Sequence, residues 1–290
     1  MTAFFTKVKS YFSLVKFSHT VFAMPFALIG YSLGVSEDGY NFSIRLLLLV
    51  ILCMIFARNA AMGFNRLADR DIDSINPRTK NREIPGGIIN PRAAAAFVII
   101  NVILFIATAS FINRLTLFLS PLALLIILGY SLTKRFTSLC HFILGLGLSL
   151  APIGAYISVT GRFSLIPLIY SFIVITWVSG FDIIYALQDD EFDKSNKLHS
   201  LPSVSGRKNA LAISTSVHVL TIILVLLAGV LGSGGILFWA GAVIFSLLLI
   251  YQHRIVSHDD ISRVTLAFGT TNGIASILFA LFIILDLLFK

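Results

Sequence analysis

Nine stretches of about 20 mostly apolar residues follow one another along this chain, each long enough for a helix to cross a bilayer. They run approximately over residues 15–34, 44–64, 93–112, 115–132, 139–159, 165–187, 210–231, 234–251 and 266–288. Inside hydrocarbon every backbone N–H and C=O must find its partner within the protein, and a helix meets that demand locally. Pro25, Pro121, Pro152 and Pro167 fall inside these stretches and are tolerated where neighbouring helices re-satisfy the freed groups. Only 12% of the residues are charged and mean hydropathy is +0.91, whereas soluble domains carry about 25% charged residues. The expected fold is therefore all-α and polytopic, with about nine transmembrane helices around a central cavity and one membrane domain over residues 1–290. Cys53 and Cys140 both lie in apolar runs, so no disulfide framework is expected. Residues 1–17 lack a small-residue cleavage site, which makes the first apolar stretch a retained helix rather than a removable leader.

The basic residues set the orientation. With the N-terminus inside, one side collects Lys7, Lys9, Lys16, Arg66, Arg70, Arg78, Lys80, Arg82, Arg92, Lys134, Arg135, Lys194, Lys197, Arg207, Lys208, Arg254 and Arg263. The other side has only Arg45, Arg114, Arg162 and Lys290. That bias places the first set in the cytoplasm. The net charge of +8 is then mostly positive-inside bias, and its dispersal among short loops gives no support to nucleic-acid binding.

Two acidic motifs fall on the basic side. Asn65, Asp69 and Asp73 recur every four residues, and so do Tyr185, Asp189 and Asp193. Helical spacing puts each set on one face. Carboxylates stacked in this way repel one another unless a cation lies between them. Mg²⁺ takes hard oxygen donors, usually one or two carboxylates completed by substrate phosphates, so the pattern points to a polyphosphate held at a membrane surface. Asp71, Asp190 and Glu191 point off these faces and read as solvated. The two motifs lie 120 positions apart, as do Asn76 and Asn196, which suggests two similar halves facing each other across a cavity. Each motif opens a long inner loop, and loops of that length are usually functional.

Three further groups extend the candidate site. Asp182 lies within an apolar helix, where an ionisable side chain is costly and a functional role is the default. Arg58 falls two turns deeper than Asn65 on the same face. Its planar guanidinium suits either a structural pair with an aspartate or a substrate's carboxylate or phenolate. Arg78, Lys80 and Arg82, with Lys134 and Arg135, form basic groups that serve equally as membrane anchors or as diphosphate contacts. His19 and His199 read as hydrogen-bonded bystanders.

Taken together, these residues resemble the UbiA superfamily of intramembrane aromatic prenyltransferases. The family's first motif, Asn-Asp-x-x-Asp-x-x-x-Asp, is matched by Asn65, Asp69 and Asp73, and its second by Tyr185, Asp189 and Asp193. Position 66 departs from it, with Arg66 in place of the first aspartate. The run Phe64-Asn-Arg through Asn76-Pro-Arg-Thr to Arg82 and Pro85 resembles the 4-hydroxybenzoate polyprenyltransferase-like branch. That branch in turn looks similar to enzymes that prenylate a naphthoate acid. The resemblance implies Mg²⁺ on the diphosphate, held by Asn65, Asp69, Asp73, Asp189 and Asp193. Lys134 and Arg82 would contact phosphate oxygens, with Tyr130 and Tyr185 lining the same site. Arg58 would orient the aromatic acid, and Asp182 would steady the allylic cation or take the ring proton. It also implies a bacterial inner membrane, a quinone-biosynthetic role and a polyprenyl tail lying between helices.

The expected function is thus Mg²⁺-dependent transfer of a polyprenyl group from its diphosphate to a 4-hydroxybenzoate-like acid, with a naphthoate acid as the alternative acceptor. A cation-coupled transporter would place its acids near mid-bilayer. A lipid-group transferase would concentrate them in one motif.

Overall fold

The computed structural model describes residues 10–15 and 22–289; Lys7, Lys9, Lys16, His19 and Lys290 lie outside them. The described residues are helical, without strands. The long helices are α2 (Ile44–Ala68), α4 (Pro91–Ser110), α5 (Arg114–Thr133), α6 (Cys140–Thr160) and α7 (Leu165–Ala186), followed by α10 (Arg207–Leu231), α11 (Ile236–Ile255) and α12 (Asn272–Leu288). A π-helical turn, Leu266–Thr271, leads into α12. Short helices are α1 (Met24–Val35), α3 (Arg70–Ile75), α8 (Asp190–Ser195) and α9 (Leu201–Ser205).

Among the described residues, eight helices are long and apolar enough to span a membrane, and α1 is a ninth, shorter apolar helix. Of the expected first span, 15–34, residues 16–21 lie outside the described residues; in the described part Pro25 sits in the first turn of α1. Its fixed φ and missing N–H suit a helix start. Pro167 likewise falls in the first turn of α7, while Pro121 and Pro152 do lie inside α5 and α6. Gly161 ends α6 in the left-handed region at φ 67°, where a side chain would be strained.

Helix α7 is the central post. It packs on α6 along one side and on α10 along another, and it is buried and mostly apolar around its circumference, with Asp182 and Tyr185 lining the cavity. Trp177 at its middle is fully buried against Phe26 of α1 and Phe245 of α11, and Phe279 of α12 closes the same cluster. The Trp177 indole donates to Asn272 Oδ1 (2.9 Å), which also accepts from Gln252 (2.8 Å), so the polar groups of this core are satisfied within it. Gly30 of α1 lets that helix ride directly on α6, because a Cβ there would lie 2.0 Å from the Pro152 carbonyl oxygen. The dense packing is thus gathered on the α1, α10, α11 and α12 side of α7. On the opposite side α2, α5 and α6 enclose an internal cavity of about 970 Å³.

The two-half expectation has a local counterpart. Helix α2 ends at Asp69 and is followed by the six-residue α3; α7 runs through a 3-10 turn to Asp189 and is followed by the six-residue α8.

Candidate active site

Each acidic motif is a bent helix end, not a continuous face. Asp69 leaves helical geometry at φ −92°, ψ 6° and Asp189 at φ −115°, ψ 7°. The helical register nevertheless carries across the first bend: Asp69 N–H donates to the Asn65 carbonyl (2.9 Å) and Asp73 N–H to the Asp69 carbonyl (2.7 Å). Asn65 Nδ2 also donates to Asp69 Oδ2 (3.2 Å).

No carboxylate of the two motifs stands alone. Asp69 meets Arg135 at 3.2 Å, Asp73 takes both oxygens to Arg82 (2.7 and 2.8 Å) and Asp193 meets Lys134 at 2.7 Å. Asp189 accepts from Arg78 Nε (2.9 Å), from a second Arg78 nitrogen and from Asn76 Nδ2 (3.2 Å). Ser200 donates to Asp193 Oδ2 (2.7 Å). The cations that relieve repulsion are therefore side chains of this chain. Arg78, carried by the first loop, holds the second motif, and the adjacent Lys134 and Arg135 reach one motif each. Arg78 also donates to the Tyr185 hydroxyl (3.0 Å) and lies over its ring at 5.5 Å.

Burial and charge act on these groups in opposite directions. Burial, aided by Asp73, lifts the Asp69 carboxyl above its ordinary range against the pull of Arg135. Burial disfavours the Arg78 charge, but Asp189 and Tyr185 outweigh it and hold the guanidinium protonated more firmly than usual.

Among the described residues no group of three or more His, Cys, Asp or Glu side chains forms a metal cage. The donor chemistry still suits a hard divalent cation. Each motif offers two carboxylates at one end of the cavity, the kind of donor that Mg²⁺ typically shares with substrate phosphates.

Apart from the exposed Lys80, the sequence-derived candidates line this cavity. Its polar end holds Asn65, Asp69, Asp73, Arg82 and Lys134 from the first half, and Asp182, Tyr185, Asp189 and Asp193 from the second. Tyr130 lies between them on α5, and Arg58 lies deeper on α2. Beyond Arg58 the lining becomes apolar, with Met54, Val50, Leu148 and Ile127, and reaches Ser158 and Phe163 at the far end of α6.

At three places the structure adds what the sequence reading did not give. Arg66, in place of the expected aspartate, is a buried guanidinium on the cavity wall, 6% exposed, and its Nε has no hydrogen-bond partner among the described residues. His141, at the start of α6, bonds Asp182 Oδ2 through Nδ1 at 2.7 Å. The segment around His199 is tied to the end of α5, with the His199 N–H donating to the Lys134 carbonyl (2.7 Å). The sequence signals were faint: a lone histidine at a helix start, and a basic loop that anchoring already explained.

Comparison with known proteins agrees with this geometry. The model of the UbiA prenyltransferase family matches residues 23–284. The 4-hydroxybenzoate octaprenyltransferase of Nitrosomonas europaea is 31% identical over 248 residues, covering 84% of this chain and 83% of that protein. The enzyme of the same name from Aliivibrio fischeri is 26% identical over 235 residues, covering 81% and 82%. Among solved structures, a UbiA homolog from Aeropyrum pernix superposes with a TM-score of 0.84 at 32% identity, covering 92% of this chain and 98% of that one. A UbiA homolog from Archaeoglobus fulgidus, solved bound to GPP and Mg²⁺, shares the fold with a TM-score of 0.74 at 20% identity, covering 96% and 99%. The family match over nearly the whole chain, the shared fold and the paired acidic motifs agree: this multi-pass membrane protein belongs to the UbiA prenyltransferase family and is a prenyltransferase.

Proposed function

We propose that the protein transfers a polyprenyl group from its diphosphate to a 4-hydroxybenzoate-like aromatic acid with the help of Mg²⁺, in quinone biosynthesis. The observation that carries this reading is the cavity itself. One end gathers the four carboxylates of the two motifs and the four cations paired with them, and the lining beyond is mostly apolar and follows α6 from Cys140 to Ser158. Such a shape suits a molecule with a diphosphate head and a long hydrocarbon tail.

Asp69, Asp73, Asp189 and Asp193, with Asn65, would hold Mg²⁺, which neutralises charge developing on the departing diphosphate. Arg82 and Lys134 supply further positive charge to the phosphate oxygens, as do Arg78 and Arg135 beside them. These cations are held in place by the aspartates, so little reorganisation remains at the moment of reaction. Tyr130 and Tyr185 wall the reacting end. Arg58 sits about 10 Å deeper than Asn65 along α2, where its guanidinium orients the acceptor carboxylate. The apolar walls keep water from the allylic cation. Asp182 faces the same space. The basic loops and the N-terminus lie on the cytoplasmic side of a bacterial inner membrane, and residues 1–290 act as one transmembrane unit.

Purified protein in detergent, given geranyl diphosphate and Mg²⁺ with 4-hydroxybenzoate and a naphthoate acid in competition, tests the reading. Mg²⁺-dependent prenylation of 4-hydroxybenzoate is the expected result. Prenylation of the naphthoate alone moves the enzyme to menaquinone biosynthesis. No product with either acid, from protein that still binds the diphosphate, refutes the aromatic-acid acceptor.

A further inference from the structure

The imidazole of His141 is buried, 2% exposed, and bonded at both nitrogens. Nε2 accepts the backbone N–H of Leu201 at 3.2 Å, which leaves the ring proton on Nδ1, and Nδ1 meets Asp182 Oδ2 at 2.7 Å. Leu201 belongs to the segment that also supplies Ser200 to Asp193 and the His199 N–H to the Lys134 carbonyl. One short stretch of backbone thus connects the diphosphate end of the cavity to Asp182 through a single histidine. The histidine cannot itself act as a base, because the lone pair of Nε2 is engaged by the amide. A second ring proton would face the Leu201 N–H donor to donor. What His141 can do is fix one Asp182 oxygen and so set the direction of the other. Asp182 keeps a side-chain exposure of 22% toward the cavity, so its carboxylate remains reachable.

Resting on the prenyl-transfer reading above, we propose that His141 is a positioning residue that holds Asp182 as the acceptor of the proton leaving the aromatic ring. The allylic carbon–oxygen bond breaks, with its electron pair leaving on the diphosphate. A ring electron pair forms the new carbon–carbon bond. The ring C–H pair then returns to the ring as its proton passes to the free oxygen of Asp182, which later releases it to water at the cavity mouth. In the intact protein this last step follows a slower ionisation, so replacing ring hydrogen by deuterium leaves the rate unchanged.

Two substitutions separate positioning from mere support of the loop. His141→Asn keeps a donor near the Nδ1 position toward Asp182 and gives up the acceptor for Leu201. His141→Gln does the reverse. Turnover of ring-deuterated and ordinary 4-hydroxybenzoate is measured for both variants, together with KM for geranyl diphosphate and thermal melting in detergent. His141→Gln is expected to lose about 10- to 100-fold in kcat. Its KM should stay unchanged, and a primary isotope effect absent from the wild type should emerge. His141→Asn is expected to keep most of kcat without an isotope effect. The opposite ranking, or a fall in kcat without an isotope effect, overturns the assignment. Failure of the wild type to prenylate 4-hydroxybenzoate would refute the underlying reading and this proposal together.

Discussion

Arg78 is the tie between the two acidic motifs, and removing it has a calculable cost. Its guanidinium gives two nitrogens to Asp189 and a third to Tyr185. The Asp189 side chain is 11% exposed and that of Arg78 33%. Breaking a fully buried pair by deleting one partner costs about 3–5 kcal/mol, whereas an exposed pair contributes about 0–1 kcal/mol. With a third of the guanidinium in solvent, Arg78→Met should lie between, at about 2 kcal/mol, because Asp189 keeps only Asn76 as a near partner. Asp189→Asn alone strands the guanidinium less severely, since Arg78 can turn toward solvent. The double variant Arg78→Met/Asp189→Asn leaves no unpaired charge, so its loss should fall short of the two single losses by about 1–2 kcal/mol. Reversible unfolding in mixed micelles measures all four proteins at one pH and salt concentration. A coupling below about 0.5 kcal/mol would show that the two motifs are held by helix packing, not by this contact.

Four other outcomes are expected. Asp69→Ala should abolish prenyl transfer while the protein still inserts and keeps its melting temperature within a few degrees, as activity assays beside detergent melting will show. Arg58→Ala should raise KM for the aromatic acid at least tenfold and leave that for geranyl diphosphate unchanged; a change in the diphosphate alone would contradict the acceptor role. Gly30→Val forces α1 off α6, since its Cβ meets backbone at 2.0 Å, and should destabilise the protein by at least about 1–3 kcal/mol in the same unfolding assay. At the opposite end of the bundle, Glu37 is raised by its partial burial but lowered more by Tyr156 and Arg162, leaving its carboxyl below the ordinary range. A depressed folded-state value stabilises above the ordinary carboxyl range and loses that contribution as pH falls through the folded value. Melting of wild type and Glu37→Gln should therefore converge on acidification from pH 6 toward pH 3, and parallel curves would exclude the contact as a source of stability.

Much of the architecture was legible before any coordinates. A spanning helix satisfies its backbone within its own 20 residues, so eight of the nine expected stretches appear as helices with edges shifted by a few positions. The ninth, α1, is described from Met24, with Pro25 in its first turn. The four aspartates were legible for the same reason, because spacing along a helix is a local property that survived even the bends at Asp69 and Asp189.

What the tertiary structure alone decided is which charge meets which. Arg78 and Asp189 lie 111 positions apart, Arg135 and Asp69 66, and His141 and Asp182 41. In the sequence Arg78, Lys134 and Arg135 read as membrane anchors or diphosphate contacts, with nothing to pair any of them with a particular aspartate, and His141 was not singled out. Periodicity specifies the face a side chain occupies on its own helix, but only packing specifies the face opposite. Here the dense side of α7 against α10, α11 and α12 left α2, α5 and α6 to enclose the cavity, and enclosure placed unlike charges from distant loops within hydrogen-bond reach. Pairing of this kind arises from burial, which makes a lone charge too costly to keep, and burial is a property of the assembled helices rather than of any one of them.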